Sequence, residues 1–194
     1  MASAAAIASA VWLAGCATPA KPIPKYTAPT SGPTAKLVMR GTVPQGDLYG
    51  VFVYDDSDKC TGSRLAGTGS NARNPTTTTL AASQMTTVEF YLLKPGKQFC
   101  RVRWSFTPVA DRTYLLTGGV VGAQACAARL MDMSNPDAIR IEPTALRRNV
   151  GSNACLPLSQ AKTAAAGADA GGSVPEAVLR QGAGAEDLQG LIGQ

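Results

Sequence analysis

The side chains that could do chemistry in this sequence are carboxylates and thiols, because its 194 residues contain no histidine. Without imidazole, a Ser-His-Asp or Cys-His catalytic arrangement, a histidine zinc site and a histidine pH switch are all excluded. Asp55, Asp56 and Asp58 could offer oxygen ligands to calcium. Their spacing departs from a calcium-binding loop, since Lys59 intrudes and no glycine or distal glutamate falls in register. We therefore interpret residues 55–58 as a solvated turn, and we predict no metal site and no cofactor.

Four further carboxylates, on Glu89, Asp111, Asp132 and Glu142, are the candidates for acid–base catalysis. Glycoside hydrolysis requires two carboxyl groups about 5–9.5 Å apart in a cleft. A Ser–Lys pair for hydrolysis needs no fixed motif, but a serine hydrolase is disfavoured because the sequence contains no G-x-S-x-G. No catalytic residue is assigned from the sequence. A carbohydrate-active hydrolase stays an alternative that depends on where the fold places these four groups.

Four cysteines, Cys60, Cys100, Cys126 and Cys155, predict two disulfide bonds. They form an even set, as is usual in an oxidising compartment. No two of them have the close spacing of a zinc knuckle, and no histidine is available to activate a thiol. Four cysteines allow three pairings, and the sequence does not choose between them. We favour Cys60–Cys100 and Cys126–Cys155, whose loops would each contribute roughly 3–4 kcal/mol.

An uncharged, apolar segment opens the chain and ends in a fifth cysteine. Residues 1–15 are too few to cross a bilayer as a helix, which takes about 20 apolar residues. They have the character of a signal-peptide core. The run Leu13-Ala14-Gly15-Cys16 resembles the lipobox of bacterial lipoproteins. The resemblance implies that residues 1–15 are a signal peptide and that Cys16 is the lipidated first residue of the mature protein. No basic residue precedes the motif, which predicts a start codon further upstream.

The same resemblance implies a location. Ala17 follows the lipidated cysteine where members of this family that stay at the inner membrane tend to have aspartate, so we expect an outer-membrane protein on the periplasmic side. Residues 16–35 contain five prolines and predict an extended, lipidated tether. Residues 160–194, rich in Ala and Gly, predict a mostly disordered tail. The folded domain is then 36–159, and it carries the net charge of +5.

Between residues 36 and 159 the hydrophobic pattern is typical of strands. Strands are predicted at 37–42, 49–54, in two arms of 86–106, and at 112–117, 125–132 and 138–142. Residues 61–84 predict a long loop with one edge strand near Thr78, and residues 144–148 a single helical turn. About seven short strands indicate an all-β, antiparallel β-sandwich. This layout resembles the transthyretin-like and immunoglobulin-like sandwiches of small uncharacterised Gram-negative envelope lipoproteins.

The two arms of 86–106 also predict a register. Each arm alternates apolar and polar residues, and directly opposed residues share a face of the sheet. Aligning the apolar faces predicts four opposed pairs: Leu92–Cys100, Phe90–Val102, Glu89–Arg103 and Tyr91–Arg101. A two-residue loop would turn one arm inside out, so we predict an odd-length loop or a bulge around residues 94–97. The polar pairs are expected on an outer, solvated face.

A group of arginines suggests a site for anions. Arg101, Arg103, Arg112, Arg147 and Arg148 could form a basic patch for phosphates or acidic partners, although basic residues scattered over strand faces would explain them equally.

We predict a non-catalytic structural or interaction module, bound to the membrane by its lipid. It would meet an envelope protein through an edge strand or residues 61–84. A periplasmic glycan- or lipid-binding module is the alternative beside the hydrolase, and nucleic acid is not expected as a partner in this compartment.

Overall fold

Strands account for most of the described chain in a computed structural model, which describes residues 22–70, 75–94, 99–121, 125–149 and 154–164. The signal-peptide and Cys16 predictions lie outside these residues. In chain order the strands are β1 (Thr34–Thr42), β2 (Leu48–Asp56), β3 (Thr61–Gly69), β4 (Thr76–Ala81), β5 (Thr86–Leu93), β6 (Phe99–Phe106), β7 (Thr113–Val121), β8 (Ala125–Asp132), β9 (Arg140–Ile141), β10 (Leu146–Arg147) and β11 (Lys162–Thr163). Two single turns of 3₁₀ helix occupy Pro136–Ala138 and Leu158–Gln160.

The strands form two sheets that face each other. The five-stranded sheet has the order β4-β1-β7-β8-β9, and the six-stranded sheet has the order β11-β10-β6-β5-β2-β3. The predicted all-β sandwich is confirmed. One pairing departs from a purely antiparallel arrangement, because β1 and β7 run parallel. Parallel neighbours require a long crossover connection, and here the crossover contains strands β2, β3, β5 and β6 of the other sheet.

The core lies between the sheets and is closed by glycines as well as by apolar side chains. Tyr49 and Phe90 stack with ring centroids 5.5 Å apart. A Cβ atom on Gly69 would lie 2.5 Å from the Tyr49 ring, and one on Gly118 would lie 2.7 Å from the Phe90 ring. Gly69 is directly opposite Tyr49 in the same sheet and leaves space for its ring, whereas Gly118 belongs to the other sheet and permits the close approach of Phe90 across the sandwich.

Glycines within strands also explain why the prediction for residues 61–84 is partly wrong. The long loop is wrong for Thr61–Gly69, which is β3 and pairs with β2, whereas the predicted edge strand near Thr78 is confirmed as β4, which pairs with β1 at the edge of the five-stranded sheet. The glycines of β3 suggested a loop, yet Gly67 is placed where a Cβ would lie 2.7 Å from Thr76 Oγ1. The threonine run favours an extended strand because β-branched residues pack well on a pleated surface. The predicted helical turn at 144–148 is also wrong, since Leu146–Arg147 is strand β10.

The predicted register of β5 and β6 is confirmed. All four predicted pairs are opposed in the sheet, and Leu93 faces Phe99, so the connection consists of residues 94–98 and is odd in length. Pro95 to Gln98 lie outside the described residues. The expected solvation is wrong, however: Glu89 and Arg103 are 3% and 5% exposed. Their face of the sheet is covered by another part of the chain.

Two disulfide bonds are present, but the favoured pairing is wrong. Cys100 bonds to Cys126 and Cys60 bonds to Cys155, with Cα–Cα distances of 6.0 and 6.1 Å. Cys100 and Cys126 both pack against the core from opposite sheets, so their bond crosses the sandwich. Cys60 lies in the turn after β2, and Cys155 lies in a late segment that returns to that turn. The bonds join residues 26 and 95 apart in sequence, so sequence separation alone did not indicate the pairing.

The described fold continues past the predicted domain boundaries at both ends. Tyr26 N donates to Leu65 O, and Leu65 N donates to Pro24 O, so the end of the predicted tether pairs with the edge strand β3. At the other end, β11 pairs with β10 beyond residue 159. Both edges of the six-stranded sheet therefore carry short flanking segments.

Candidate functional site

The five arginines predicted to form an anion patch are separated by the fold. Arg101 and Arg103 lie on β6, Arg147 ends β10 and Arg148 follows it, so these four belong to the six-stranded sheet. Arg112 immediately precedes β7 of the five-stranded sheet. Of these four, Arg103, Arg147 and Arg148 donate hydrogen bonds to acceptors within the protein, and Arg101 Nε lies 3.8 Å from Glu89 Oε1. The predicted patch is therefore not a single surface.

The first group of buried charges is an ion pair with a tyrosine on the outer face of the six-stranded sheet. The Arg103 guanidinium contacts Glu89 Oε2 and donates to Tyr54 Oη at 2.9 Å, while the Tyr54 hydroxyl donates to Glu89 Oε2 at 2.6 Å. Burial and the negative Glu89 carboxylate raise the pKa of Tyr54 to about 12. Burial opposes the charge of Arg103, but Glu89 and Tyr54 outweigh it and raise the pKa of this arginine. Each of the three side chains therefore has its hydrogen-bond and charge partners in the other two.

Arg148 is completely buried beside this pair, and oxygens accept its hydrogen bonds. Its guanidinium donates to Ser57 O, to Leu156 O and to Ser105 Oγ at 2.7–2.8 Å, and it also contacts Asp58 O. Carbonyls that solvate a cation in this way replace the water that burial removes. We call Tyr54, Glu89, Arg103, Ser105 and Arg148 the covered network.

A disulfide holds the cover of this network in place. Ser57 and Asp58 belong to the turn that contains Cys60, and Leu156 follows Cys155, so the Cys60–Cys155 bond joins the two segments that supply the carbonyls. Asn149 completes the edge of β6, where its side-chain amide donates to Arg101 O and accepts from Arg103 N, each at 2.8 Å. This arrangement stabilises the fold and leaves the network little access to a ligand.

Arg101 and Arg147, the other two predicted patch residues on this sheet, lie against aromatic rings. The guanidinium of Arg101 is 5.2 Å from the Tyr91 ring centroid and 5.4 Å from that of Phe99, and Arg147 is 5.2 Å from the Trp104 ring. Burial lowers the pKa of Arg147 to about 10, so it keeps its charge at neutral pH. Contacts of this type contribute about 0.5–2 kcal/mol according to burial.

The four candidate catalytic carboxylates are spread over both sheets. Burial raises the pKa of Tyr114, and Glu142 and Asp132, which both lie near it, raise it further. Asp111 and Asp132 line two cavities that share Arg112. Glu89 belongs to the covered network, whereas Asp132 lies at the end of β8 in the other sheet. Glu142 Oε1 accepts from Thr144 N at 3.0 Å, and Asp111 is exposed. No contact in the described residues brings two of these carboxylates together. In the predicted turn, Asp55 pairs with Arg64 and Asp56 Oδ1 accepts from two backbone N–H groups.

A second cluster of charges lies at the end of the five-stranded sheet where β1 and β7 begin and β8 ends. Arg112 Nη1 donates to Asp132 Oδ2 at 3.0 Å, and Arg140 Nη2 lies 3.6 Å from the same oxygen. The other carboxylate oxygen, Asp132 Oδ1, accepts from Ser134 N and from Ser134 Oγ at 3.0 and 2.6 Å. Ser134 thus fixes the Asp132 carboxylate, which holds the two arginines at this end of the sheet.

Two cavities flank this cluster and meet at Arg112. One, of about 310 Å³, is lined by Arg112, Asp132, Ser134 and Arg140 together with Asn135 and Ala138. The other, of about 510 Å³, extends along the sheet past Lys36 and several threonines. Lys36 is directly opposite Thr79 of β4 on one side and Thr113 of β7 on the other. We call this concave surface, with its cations Lys36, Arg112 and Arg140, the basic groove.

The electrostatics of the basic groove favour an ionised Asp132. Burial opposes its negative charge, but the hydrogen bonds from Ser134 and the positive charges of Arg112 and Arg140 outweigh burial and hold the pKa of Asp132 below its usual range. Sequence reasoning identified Arg112 but missed Lys36 and Arg140 as its neighbours. Lys36 was missed because no local pattern encodes the parallel pairing of β1 with β7, and Arg140 was missed because its place opposite Asp132 depends on the pairing of β8 with β9.

Comparisons with known proteins assign no family to the chain. No protein-family model matches the sequence, and no curated protein is significantly similar to it. In the part of the chain that the structure describes, no helix is long and apolar enough to cross a membrane. In the same residues, no three acidic or cysteine side chains are grouped as metal ligands.

Proposed function

We propose that the protein is a lipid-anchored, non-catalytic interaction module of the bacterial cell envelope, placed on the periplasmic side of the outer membrane. The observation that carries the proposal is how the five cysteines are divided. Cys60, Cys100, Cys126 and Cys155 are all used in two disulfide bonds. Cys16 is the one cysteine left for another role, and it ends the motif Leu13-Ala14-Gly15-Cys16.

Two physical arguments support this proposal. Disulfide bonds form and persist in oxidising compartments such as the periplasm, and a lipoprotein domain on the outer membrane would be exposed to that environment. Several acyl chains at about 0.8 kcal/mol per buried methylene hold a protein on a bilayer far more firmly than a single myristoyl chain does. Glu89, Asp132 and Glu142 are the buried candidate acids. Glu89 and Asp132 are occupied by structural partners, which favours a module that binds over one that catalyses.

The anchor is tested by expressing the protein from its own gene in a Gram-negative host. We expect the intact mass of the detergent-extracted protein to include a diacylglyceryl group and an acyl group on Cys16, and we expect Cys16→Ser to appear in the soluble fraction. Ala17→Asp is the matched control: it keeps the lipid and is expected to shift the protein to the inner membrane. A wild-type protein with a free Cys16 thiol would contradict the proposal.

An envelope partner is tested by crosslinking in intact cells that express either the wild type or Cys16→Ser. We expect a specific crosslinked protein in the wild type and a weaker product in the variant, because the anchor confines the domain near membrane-bound partners. A product of equal strength in both strains would show that the interaction does not require the lipid anchor. No product above background would contradict the interaction role.

A further inference from the structure

We infer that the basic groove binds a phosphorylated saccharide, with the phosphate at Arg112 and Arg140 and the sugar hydroxyls along the threonine row beside Lys36. The inference goes beyond the lipid anchor and does not depend on it, since every residue that carries it lies in the described fold. It rests on three features of the groove, which are its spare hydrogen-bond donors, its hydroxyl lining and its charge.

The two arginines have more donors than their common partner can accept. Each guanidinium carries five N–H groups, whereas Asp132 offers them only one oxygen, because Ser134 occupies the other. The side chains of Arg112 and Arg140 remain 40% and 66% exposed, and both line the smaller cavity. Asp132 therefore orients the two guanidiniums and leaves some of their N–H donors available to a ligand. Phosphate oxygens are the acceptors that a planar guanidinium binds in a bidentate manner.

The larger cavity has the character of a surface for hydroxyl groups. Thr77, Thr79 and Thr113 line it, and each hydroxyl can both donate and accept a hydrogen bond. Lys36 lies in the same row and is exposed, and no carboxylate of the described residues forms an ion pair with it. The hydroxyls of a saccharide can likewise donate and accept, so they can pair with these groups. A purely apolar ligand would leave these polar groups without partners, so the lining disfavours it.

The charge of the groove also indicates an anion. Three cations, Lys36, Arg112 and Arg140, face two carboxylates, Asp132 and the exposed Asp111. The balance is positive, and a phosphate monoester carries about −1.5 to −2 at neutral pH. The covered network provides no comparable site, because its arginines are enclosed by their own oxygen partners.

The test uses the full chain with Cys16→Ser, so that no acyl group contributes to binding. Calorimetric titration is performed with glucose 6-phosphate, with inorganic phosphate and with glucose. We expect the sugar phosphate to bind most tightly, phosphate to bind more weakly and glucose to show no measurable heat. Arg140→Ala is expected to weaken the binding of glucose 6-phosphate by about tenfold or more, since it removes a charge-assisted contact.

The matched control is Arg64→Ala. Arg64 is also an exposed arginine paired with one carboxylate, Asp55, but it lies on β3 of the other sheet. Both variants lose one positive charge, and thermal unfolding verifies that each is folded. Loss of binding in Arg140→Ala with unchanged binding in Arg64→Ala supports the site. Equal losses would show general electrostatic attraction and overturn the inference, as would an absence of binding to either phosphate probe in the parent protein.

The source of the phosphate is distinguished by a vesicle experiment. The same Cys16→Ser protein is sedimented with vesicles of equimolar phosphatidylglycerol and phosphatidylcholine, and with vesicles of phosphatidylcholine. We expect no sedimentation with either, because the phosphate of phosphatidylglycerol is a diester without a sugar. Sedimentation with the anionic vesicles that is lost in Arg140→Ala would overturn the saccharide assignment and give the groove to a lipid headgroup.

Discussion

The covered network and the basic groove use arginine in opposite ways. Arg148 is completely buried, and the donors of its guanidinium are directed to backbone carbonyls and one hydroxyl. Arg112 and Arg140 remain at the surface and share a single carboxylate oxygen. The comparison teaches that a count of basic residues does not locate a binding site. What matters is how many donors the fold leaves after it has satisfied its own acceptors.

The largest expected effect concerns the disulfide that holds the cover. Removing Cys60–Cys155 with two serines releases a constraint between residues 95 apart in sequence, whereas Cys100–Cys126 spans 26. The chain-entropy relation gives losses of about 4.7 and 3.5 kcal/mol in the free energy of unfolding. Denaturant unfolding of both double variants measures the difference. A larger loss for Cys100→Ser/Cys126→Ser would mean that the cover contributes less than the bond across the core.

Arg148→Ala tests the covered network itself. The substitution leaves the carbonyls of Ser57, Asp58 and Leu156 buried without their donor and creates a cavity, so we expect a loss of about 4 kcal/mol in the free energy of unfolding. Arg140→Ala removes an exposed ion pair and should cost no more than about 1 kcal/mol. Chemical denaturation compares the two variants. Equal losses would remove the distinction between the two uses of arginine.

Glu89→Gln breaks the ion pair and keeps the shape of the side chain. Arg103 then lacks its counter-charge in a buried site, and we expect a loss of about 3 kcal/mol. The pKa of Tyr54, which burial and Glu89 raise to about 12, should fall because one of these two causes is removed. Ultraviolet titration of tyrosine ionisation measures this change, with Tyr54→Phe identifying the signal. An unchanged pKa in Glu89→Gln would assign the whole elevation to burial.

Sequence reasoning succeeded where the determinants are local. The alternation of Phe90 and Leu92 against Val102 was sufficient to fix the register of β5 and β6, because a shift by one residue would turn an apolar face outward. It failed where distant segments meet. The Cys60–Cys155 bond, the burial of Glu89 by a late segment and the juxtaposition of Lys36 with Arg112 all depend on chain returns that leave no periodic pattern.

The strand glycines show a further reason for the failures. Gly67 and Gly69 are typical of loops by composition, and this composition led to the prediction of a loop where the structure has β3. In the fold their lack of a side chain makes room for Thr76 and for the Tyr49 ring. The same residue type thus permits a turn or a close approach between sheets. The spatial partner decides between these uses, whether it is Tyr49 on the neighbouring strand or Thr76 of the other sheet, and neither strand position is encoded by the local composition around the glycines.

The smallest expected effect is a pH dependence that belongs to the basic groove. Because the folded protein holds the pKa of Asp132 below its usual value of about 3.9, the ionised carboxylate contributes stability at neutral pH. That contribution is lost as the pH falls below about 4 and through the lower folded pKa, where protonation occurs in both states. Asp132→Asn should therefore cost about 1 kcal/mol at pH 7 and almost nothing once the pH has fallen below the lowered pKa of Asp132 in the folded protein.

The measurement is the free energy of unfolding of the wild type and of Asp132→Asn over this range of pH. The two curves should converge on acidification, since the protonated aspartic acid and the asparagine are both neutral. Asp55→Asn is the control, because Arg64 also holds the pKa of Asp55 below its usual value. This pair is fully exposed, so screening by solvent should make its contribution the smaller of the two. Curves that stay parallel for Asp132→Asn would show that the carboxylate acts in the groove through its shape and hydrogen bonds, with its charge contributing nothing to the fold.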